Sequence, residues 1–423
     1  MTNFSLKIDV PATAPHPLLG KAQADLRKLY DDGLPLLKLA EANDDLSEIM
    51  RIADGFKAVA DTLILVGIGG SSLGAEAVCA IAKTPNNMRF MVMDNPDPAT
   101  FAAMKHEINP KRTAWLMVSK SGGTLETIAQ ILLIIKWLEA EITDNKSEYY
   151  ANHCHIITEA KDSPLTKIAK YFHIPTSAHD AELGGRWSCL SNVGLIPAAT
   201  IGVDIAAFRQ GTKSALHNAL YGVALYGGDS LRGEKNYALE SANFAVMQMS
   251  QGRAIHAIMP YADSLAFTSS WCRQLISESL GKDGVGITPL AALGTVDQHS
   301  MLQLLLGGGD DKFYTIITAQ QAGLGETFDA QLAEMFGFGY LGGKTLGDVL
   351  DAFQHGTVES LRAAGRIVRT IHLPEINAYC LGELLMLIML ETIYASSLMN
   401  VNPFDQPSVE DSKIYAKNAL GAS

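Results

Sequence analysis

A chain of 423 residues has length for two or three domains, and its 48% hydrophobic and 18% charged residues are those of a well-buried globular protein, not a disordered one. The net charge of −12 argues against a nucleic-acid partner, whose phosphates demand a basic face, yet leaves room for a small anion at a locally positive site. The five cysteines (79, 154, 189, 272 and 380) are scattered without a CxxC pair, which suits reduced thiols in a cytoplasmic protein and gives neither a zinc site nor a disulfide framework.

MTNFSLKIDVPATAPHP at the start lacks the apolar run of a secretion signal. Residues 17–60 carry apolar positions three and four apart and are predicted helical. Strand-like runs then alternate with helical patterns. They are TLILVGIG at 62–69, FMVMD at 90–94, AWLMVSK at 114–120 leading into a helix around TLETIAQILLIIKWLEAE, and HCHIIT at 153–158. His153 and His155 would share one face of that last strand. AELGGRWSCLSNVG at 181–194 reads as a loop. The alternation restarts with RAIHAIMPY at 253–261, KFYTIITAQ at 312–320 and RTIHLPE at 369–375, with a turn at GGGDD, 307–311. LLMLIML at 384–390, between Glu383 and Glu391, is too short to cross a bilayer and reads as a buried core helix. Such alternation implies parallel sheets covered by helices on both faces. The expected fold is therefore α/β, with two three-layer αβα sandwich domains. Its parts are a helical N-terminal arm (1–40), a first domain (41–195), a second (196–365) and a C-terminal strand and helix segment (366–423).

GIGGSSLG at 67–74 leaves a strand and opens a helix, the pattern of a phosphate held at a helix start. Whose phosphate stays open on this loop alone. Serine stands where the dinucleotide fingerprint GxGxxG takes its third small residue, and Asp94 is the best candidate for a ribose carboxylate. No lysine follows Gly74, which rules out a P-loop. A second loop, VSKSGGTLET at 118–127, repeats the arrangement. Backbone amides, the hydroxyls of Ser119, Ser121, Thr124 and Thr127, and the adjacent Lys120 would together hold one dianionic phosphate. Hydroxyl-rich loops suit a compact phosphomonoester better than an extended pyrophosphate. Serine and threonine also cap helices, but four hydroxyls around a Gly-Gly pair exceed what a cap requires.

With these loops, the chain resembles the phosphoglucose isomerase family, whose fold is two sugar-isomerase (SIS) modules. LGGRWSCLSNVG (183–194) and FDQPSVEDSK (404–413) are similar to its two signatures, and QLISESLGKDG (274–284) and GTVDQHSMLQLLL (294–306) to its internal catalytic segments. The likeness runs from about residue 60 to the C-terminus. Trp187 replaces the usual Phe or Tyr and Ser408 the usual Gly or Ala, both flanking the functional positions.

The resemblance implies an aldose–ketose isomerase acting on glucose 6-phosphate and fructose 6-phosphate, with no metal and no cofactor. That chemistry needs a base to shuttle a proton between C1 and C2, an acid–base pair to open the ring, and positive charge at the developing oxyanion. By resemblance Glu278 is the shuttling carboxylate and His299 the ring-opening histidine, placed in the neighbouring subunit's site of a homodimer. Lys413 would assist ring opening, Arg186 would stabilise the enediolate, and Gln406 would bind the phosphate or hydroxyls. Gly70, Ser71, Ser119, Lys120, Ser121, Thr124 and Thr127 become the sugar and phosphate cradle, with Glu126 ordering the loop or touching a hydroxyl. Outside these motifs, Glu278 would read as a helix-surface partner of Lys282, Arg186 as a domain-junction ion pair and Lys413 as a solvated tail lysine.

Three other functions compete. A non-catalytic sugar-phosphate sensor could lose any of Arg186, Glu278, His299 or Lys413, and neither a helix-turn-helix nor a basic patch accompanies them. A mannose 6-phosphate or dual-specificity isomerase would use the same residues. A dehydrogenase would require nicotinamide binding.

Overall fold

The protein is described by a computed structural model covering residues 5–82, 88–222 and 235–421. Its strands are β1 (Lys7–Asp9), β2 (Thr62–Val66), β3 (Arg89–Met93), β4 (Thr113–Val118), β5 (Cys154–Thr158), β6 (Thr176–Ala178), β7 (Ile255–Pro260), β8 (Thr288–Ala291), β9 (Lys312–Ala319) and β10 (Val368–Leu373). They form one sheet in the order β3-β2-β4-β5-β6 and a second in the order β1-β10-β9-β7-β8. All pairings are parallel except that of β1 with β10, where Ile8 lies opposite Ile371. β2, β4 and β5 are buried at every position, as parallel strands covered on both faces must be, and so they read as unbroken apolar runs.

The order of the first sheet explains why the two glycine-serine loops meet. From β2 the chain runs to β3 on one side; from β4 it runs to β5 on the other. β2 and β4 are neighbours, Val66 opposite Met117, so both loops leave the carboxyl ends of adjacent strands where the winding direction reverses. Ligands of open α/β sheets bind at such a point.

Besides the short edge strands β6 and β8, which the sequence reading lacks, three things differ from the sequence expectation. The N-terminal arm adds a strand, β1, ahead of its first helix, Leu19–Asp31. Much of 181–194 is helical, with a short 3-10 segment at Gly185–Leu190 and a helix from Asn192. His153 ends the helix Lys146–His153 and stacks on Tyr149 at 4.3 Å between ring centres, while His155 alone lies in β5, its Nε2 2.8 Å from Ser177 Oγ. The two histidines therefore share no strand face.

The LLMLIML run lies inside a 22-residue helix, Ala378–Met399, long and apolar enough to cross a membrane but with 94% of its 18-residue apolar stretch buried within the protein. Its two carboxylates are matched inside the core. Glu391 accepts from Arg369 Nη1 at 2.8 Å, and Glu383 accepts from the Ser5 amide at 3.0 Å. This helix crosses the helix Ile205–Tyr221 at two glycines. A Cβ on Gly211 would lie 1.9 Å from the Tyr379 carbonyl oxygen, and one on Gly382 2.1 Å from that of Phe208. Backbone cannot yield as a side chain does, so Gly211→Ala should cost about 3 kcal/mol or more. Urea unfolding should show a lower midpoint at unchanged slope; an unmoved midpoint would mean the helices are not in backbone contact.

Candidate active site

Arg186 organises the site. It sits in the 3-10 segment Gly185–Leu190 and is 1% exposed. Two glycines precede it because the backbone there lies against the first loop: a Cβ on Gly70 would be 2.3 Å from the Gly185 carbonyl carbon. Ser188 Oγ ties the same contact, reaching the carbonyl oxygens of Gly70 at 2.9 Å and Gly185 at 2.7 Å. All five guanidinium N–H groups are engaged. Nε donates to Ser279 Oγ at 2.8 Å, Nη1 to Glu278 Oε2 at 3.0 Å and to Gln406 Oε1, and Nη2 to the carbonyls of Pro403 and, at 3.0 Å, Asp405. Burial pushes its pKa down, against the pull of the Glu278 and Asp405 carboxylates. A fixed planar fork thus collects three segments distant in sequence, and with them Glu278 and Gln406.

Glu278 lies in the last turn of the helix Ala266–Leu280, its side chain 28% exposed. Its second oxygen, Oε1, accepts from Gln274 Nε2 at 2.9 Å, one turn earlier. Gln274 was missed from sequence; the signal available was its place four residues before Glu278 on the same helix face. Its own Oε1 is buried with no partner among the described residues, and its Nε2 lies 3.1 Å from where a Cβ on Gly69 would be. A buried orphan acceptor beside a carboxylate and a glycine loop suits a ligand hydroxyl. Lys282 does not pair with the Glu278 carboxylate; it donates to the backbone carbonyl oxygens of Glu278 and Ser279, both at 3.0 Å.

In the first loop, Gly69 takes φ +61°, the left-handed region that needs no side chain, and Ser71 follows in the short 3-10 turn Gly69–Ser71. In the second, Thr124 is the N-cap of the helix Leu125–Glu141 but makes no capping hydrogen bond with its side chain. Its Oγ1 is instead 3.0 Å from Ser119 Oγ. Thr127 is 1% exposed and its Oγ1 has no partner among the described residues. Ser121 Oγ accepts from the Gly123 amide at 3.3 Å. First-turn amides have no intrahelical acceptor, so the loop presents free donors with hydroxyls that capping has not consumed. The Lys120 ammonium turns elsewhere, donating to the Ala181 carbonyl at 2.8 Å with Glu159 Oε1 at 3.9 Å. Glu126 forms no side-chain hydrogen bond or ion pair among the described residues.

Two expected residues stand apart within the single chain. His299 is exposed on the helix Val296–Gly307, and the nearby Asp297 carboxylate is occupied by the Leu293 amide at 2.7 Å and Ser300 Oγ at 3.0 Å. Lys413 pairs with Glu410 at 2.7 Å on the helix Glu410–Ala419, which has no buried residue.

Comparison with known proteins agrees with the motifs. The family model of phosphoglucose isomerase matches residues 45–422. A glucose-6-phosphate isomerase of Thermus thermophilus is 33% identical over 415 residues, 96% of this chain and 95% of the relative. One of Rubrobacter xylanophilus is 33% identical over 419 residues, 95% and 92% of the two chains. Among solved structures, a hypothetical protein of Thermus thermophilus superposes with TM-score 0.85 at 32% identity, covering 96% of this chain and 95% of that one. A glucose-6-phosphate isomerase of Chlamydia trachomatis shares the fold, with TM-score 0.79 at 21% identity over 99% and 89% of the chains. Signature motifs, paired glycine-serine loops and nearly full-length similarity converge: the chain belongs to the phosphoglucose isomerase family.

Proposed function

We propose that the protein interconverts glucose 6-phosphate and fructose 6-phosphate through an enediol(ate), in the cytoplasm, as a homodimer. The observation that carries this reading is Arg186, whose fork holds the Glu278 carboxylate and Gln406 while the backbone at Gly185 and Arg186 lies against the Gly70 loop. The 118–127 loop, with its unconsumed amides and the orphan Thr127 hydroxyl, takes the phosphate.

From the ketose, Glu278 removes a proton from C1 of the open chain while the C2 carbonyl oxygen gains the charge. Arg186, fixed in a largely buried position, stabilises that oxyanion without reorganising. Proton transfer from O1 to O2 and return of the carried proton to C2 complete the aldose. Arg186 holds Glu278 by one of five hydrogen bonds, so the carboxylate can be released to the substrate while the fork stays anchored. Gln274 positions the other carboxylate oxygen.

Ring opening falls to His299 and Lys413. The exposure of His299 supports its assignment to a neighbouring subunit's site. Met335, Phe336, Phe338 and Tyr340 are each more than half exposed, an apolar patch of the kind that mates with another surface. The same residues would serve a mannose 6-phosphate isomerase, so the test must include that sugar. Purified protein given fructose 6-phosphate, without metal or nucleotide, should yield glucose 6-phosphate in a coupled assay, with mannose 6-phosphate run in parallel. It should sediment as a dimer, and His299→Ala should lose turnover while still binding substrate. Absence of turnover removes the isomerase reading; full activity as a monomer removes the shared site.

A further inference from the structure

We infer that Lys282 is a positioning residue for this isomerisation: its ammonium fastens residues 402–406 to the end of the Glu278 helix and so aligns Arg186 and Gln406 with Glu278. The inference rests on the isomerase reading above. The Lys282 side chain is 11% exposed and reaches four oxygens. Two are the Glu278 and Ser279 carbonyls, last-turn acceptors that the helix Ala266–Leu280 leaves unpaired before its C-cap at Gly281. The others belong to the C-terminal segment: the Asn402 carbonyl and Asp405 Oδ1, the latter at 3.3 Å. An ammonium has three protons, so its donor capacity is used up in joining these two elements.

What it fastens is a closed unit. Asn402 Nδ2 donates to Asp405 Oδ2 at 3.0 Å, and the Phe404 amide donates to Asn402 Oδ1 at 3.0 Å. Phe404 packs on Trp187 at 5.6 Å between ring centres. Holding residues 402 and 405 therefore holds the whole turn. That turn supplies the Pro403 and Asp405 carbonyls and the Gln406 side chain to Arg186, three of its five acceptors. Beyond it, the helix carrying Lys413 is exposed throughout. A buried lysine beside an arginine is electrostatically costly; burial and the Arg186 charge both push the Lys282 pKa down, with Asp405 opposing. Simple helix capping needs no such placement, since a solvated lysine caps as well.

Lys282→Met keeps the stem and removes the donors. In the substrate-free protein, hydrogen exchange of the Phe404, Asp405 and Gln406 amides should accelerate while the helix at 266–280 keeps its protection. With fructose 6-phosphate, kcat should fall by up to about 100-fold, more than KM changes, because misplacement by about an ångström suffices. Adding Gln406→Ala to Lys282→Met should change kcat by less than about twofold, since Gln406 is already displaced. Lys282→Arg, which retains charge and donors, should recover most of the rate. If Lys282→Met does not fold, Asp405→Ala on the exposed loop is read by the same measurements. Unchanged exchange at 404–406, or faster exchange with kcat within about twofold of the parent, overturns the inference. An inactive parent protein would overturn the isomerase reading instead, leaving the exchange result to decide the tether.

Discussion

Glu278→Gln should lower kcat by between about 10²- and 10⁴-fold, the contribution of a general base, with KM little changed. Exchange of the C2 proton with solvent, followed by NMR, should vanish in parallel. The substitution is well chosen because the surroundings can absorb it. Both carboxylate oxygens now accept hydrogen bonds, Oε2 from Arg186 at 3.0 Å and Oε1 from Gln274 at 2.9 Å. An amide offers one acceptor only. With that oxygen toward Arg186, its NH₂ faces Gln274, whose buried Oε1 has no partner among the described residues and can accept once the side-chain amide turns over. Stability should therefore hold while chemistry is lost. Retained proton exchange would move the base elsewhere.

Arg186→Lys should be nearly as damaging, by a different route. A lysine keeps the charge but not the fork: three protons on a flexible stem cannot reproduce five bonds to Ser279, Glu278, Gln406, Pro403 and Asp405. Loss of preorganised charge at the oxyanion should reduce kcat by about 10²- to 10³-fold. Unlike Glu278→Gln it should also destabilise the fold, by about 2 kcal/mol, because buried acceptors lose their donors. Kinetics and urea unfolding on one preparation separate the two effects. Near-parental activity in Arg186→Lys would show that charge alone suffices at this position.

Most of the strands legible in sequence are buried on both faces. β2, β4, β5, β7, β9 and β10 read as apolar runs within a few residues of their observed bounds, and so does β3, a partly exposed edge strand whose Phe90–Met93 run is apolar. The strands that escaped, β1, β6 and β8, are sheet edges of three or four residues. They are too short to show a period, and β8 contains Pro289, which an edge tolerates and a central strand does not. The site divides in the same way. Arg186, Glu278 and the two loops stand in motifs whose glycines, hydroxyls and charges are set locally. Gln274 and Lys282 stand in the same 274–284 segment as Glu278, but type and spacing alone assign neither a role, and what Lys282 does depends on partners across the fold. Lys282 could only be read as the surface partner of Glu278, being four residues from it; the loop at 402–405 that captures it is 120 residues away.

The antiparallel strand at the N-terminus bears on how the chain reaches this state. Ser5 bonds Glu383, 378 positions later, and β1 covers the outer edge of β10. On a ribosome adding 5–20 residues per second, these first residues would emerge on the order of tens of seconds before their partners exist. The second sheet cannot close in the order of synthesis. Until β10 is released, β9 waits with an open edge, and the opening residues of the chain, which pair with β10, are the last to be fitted.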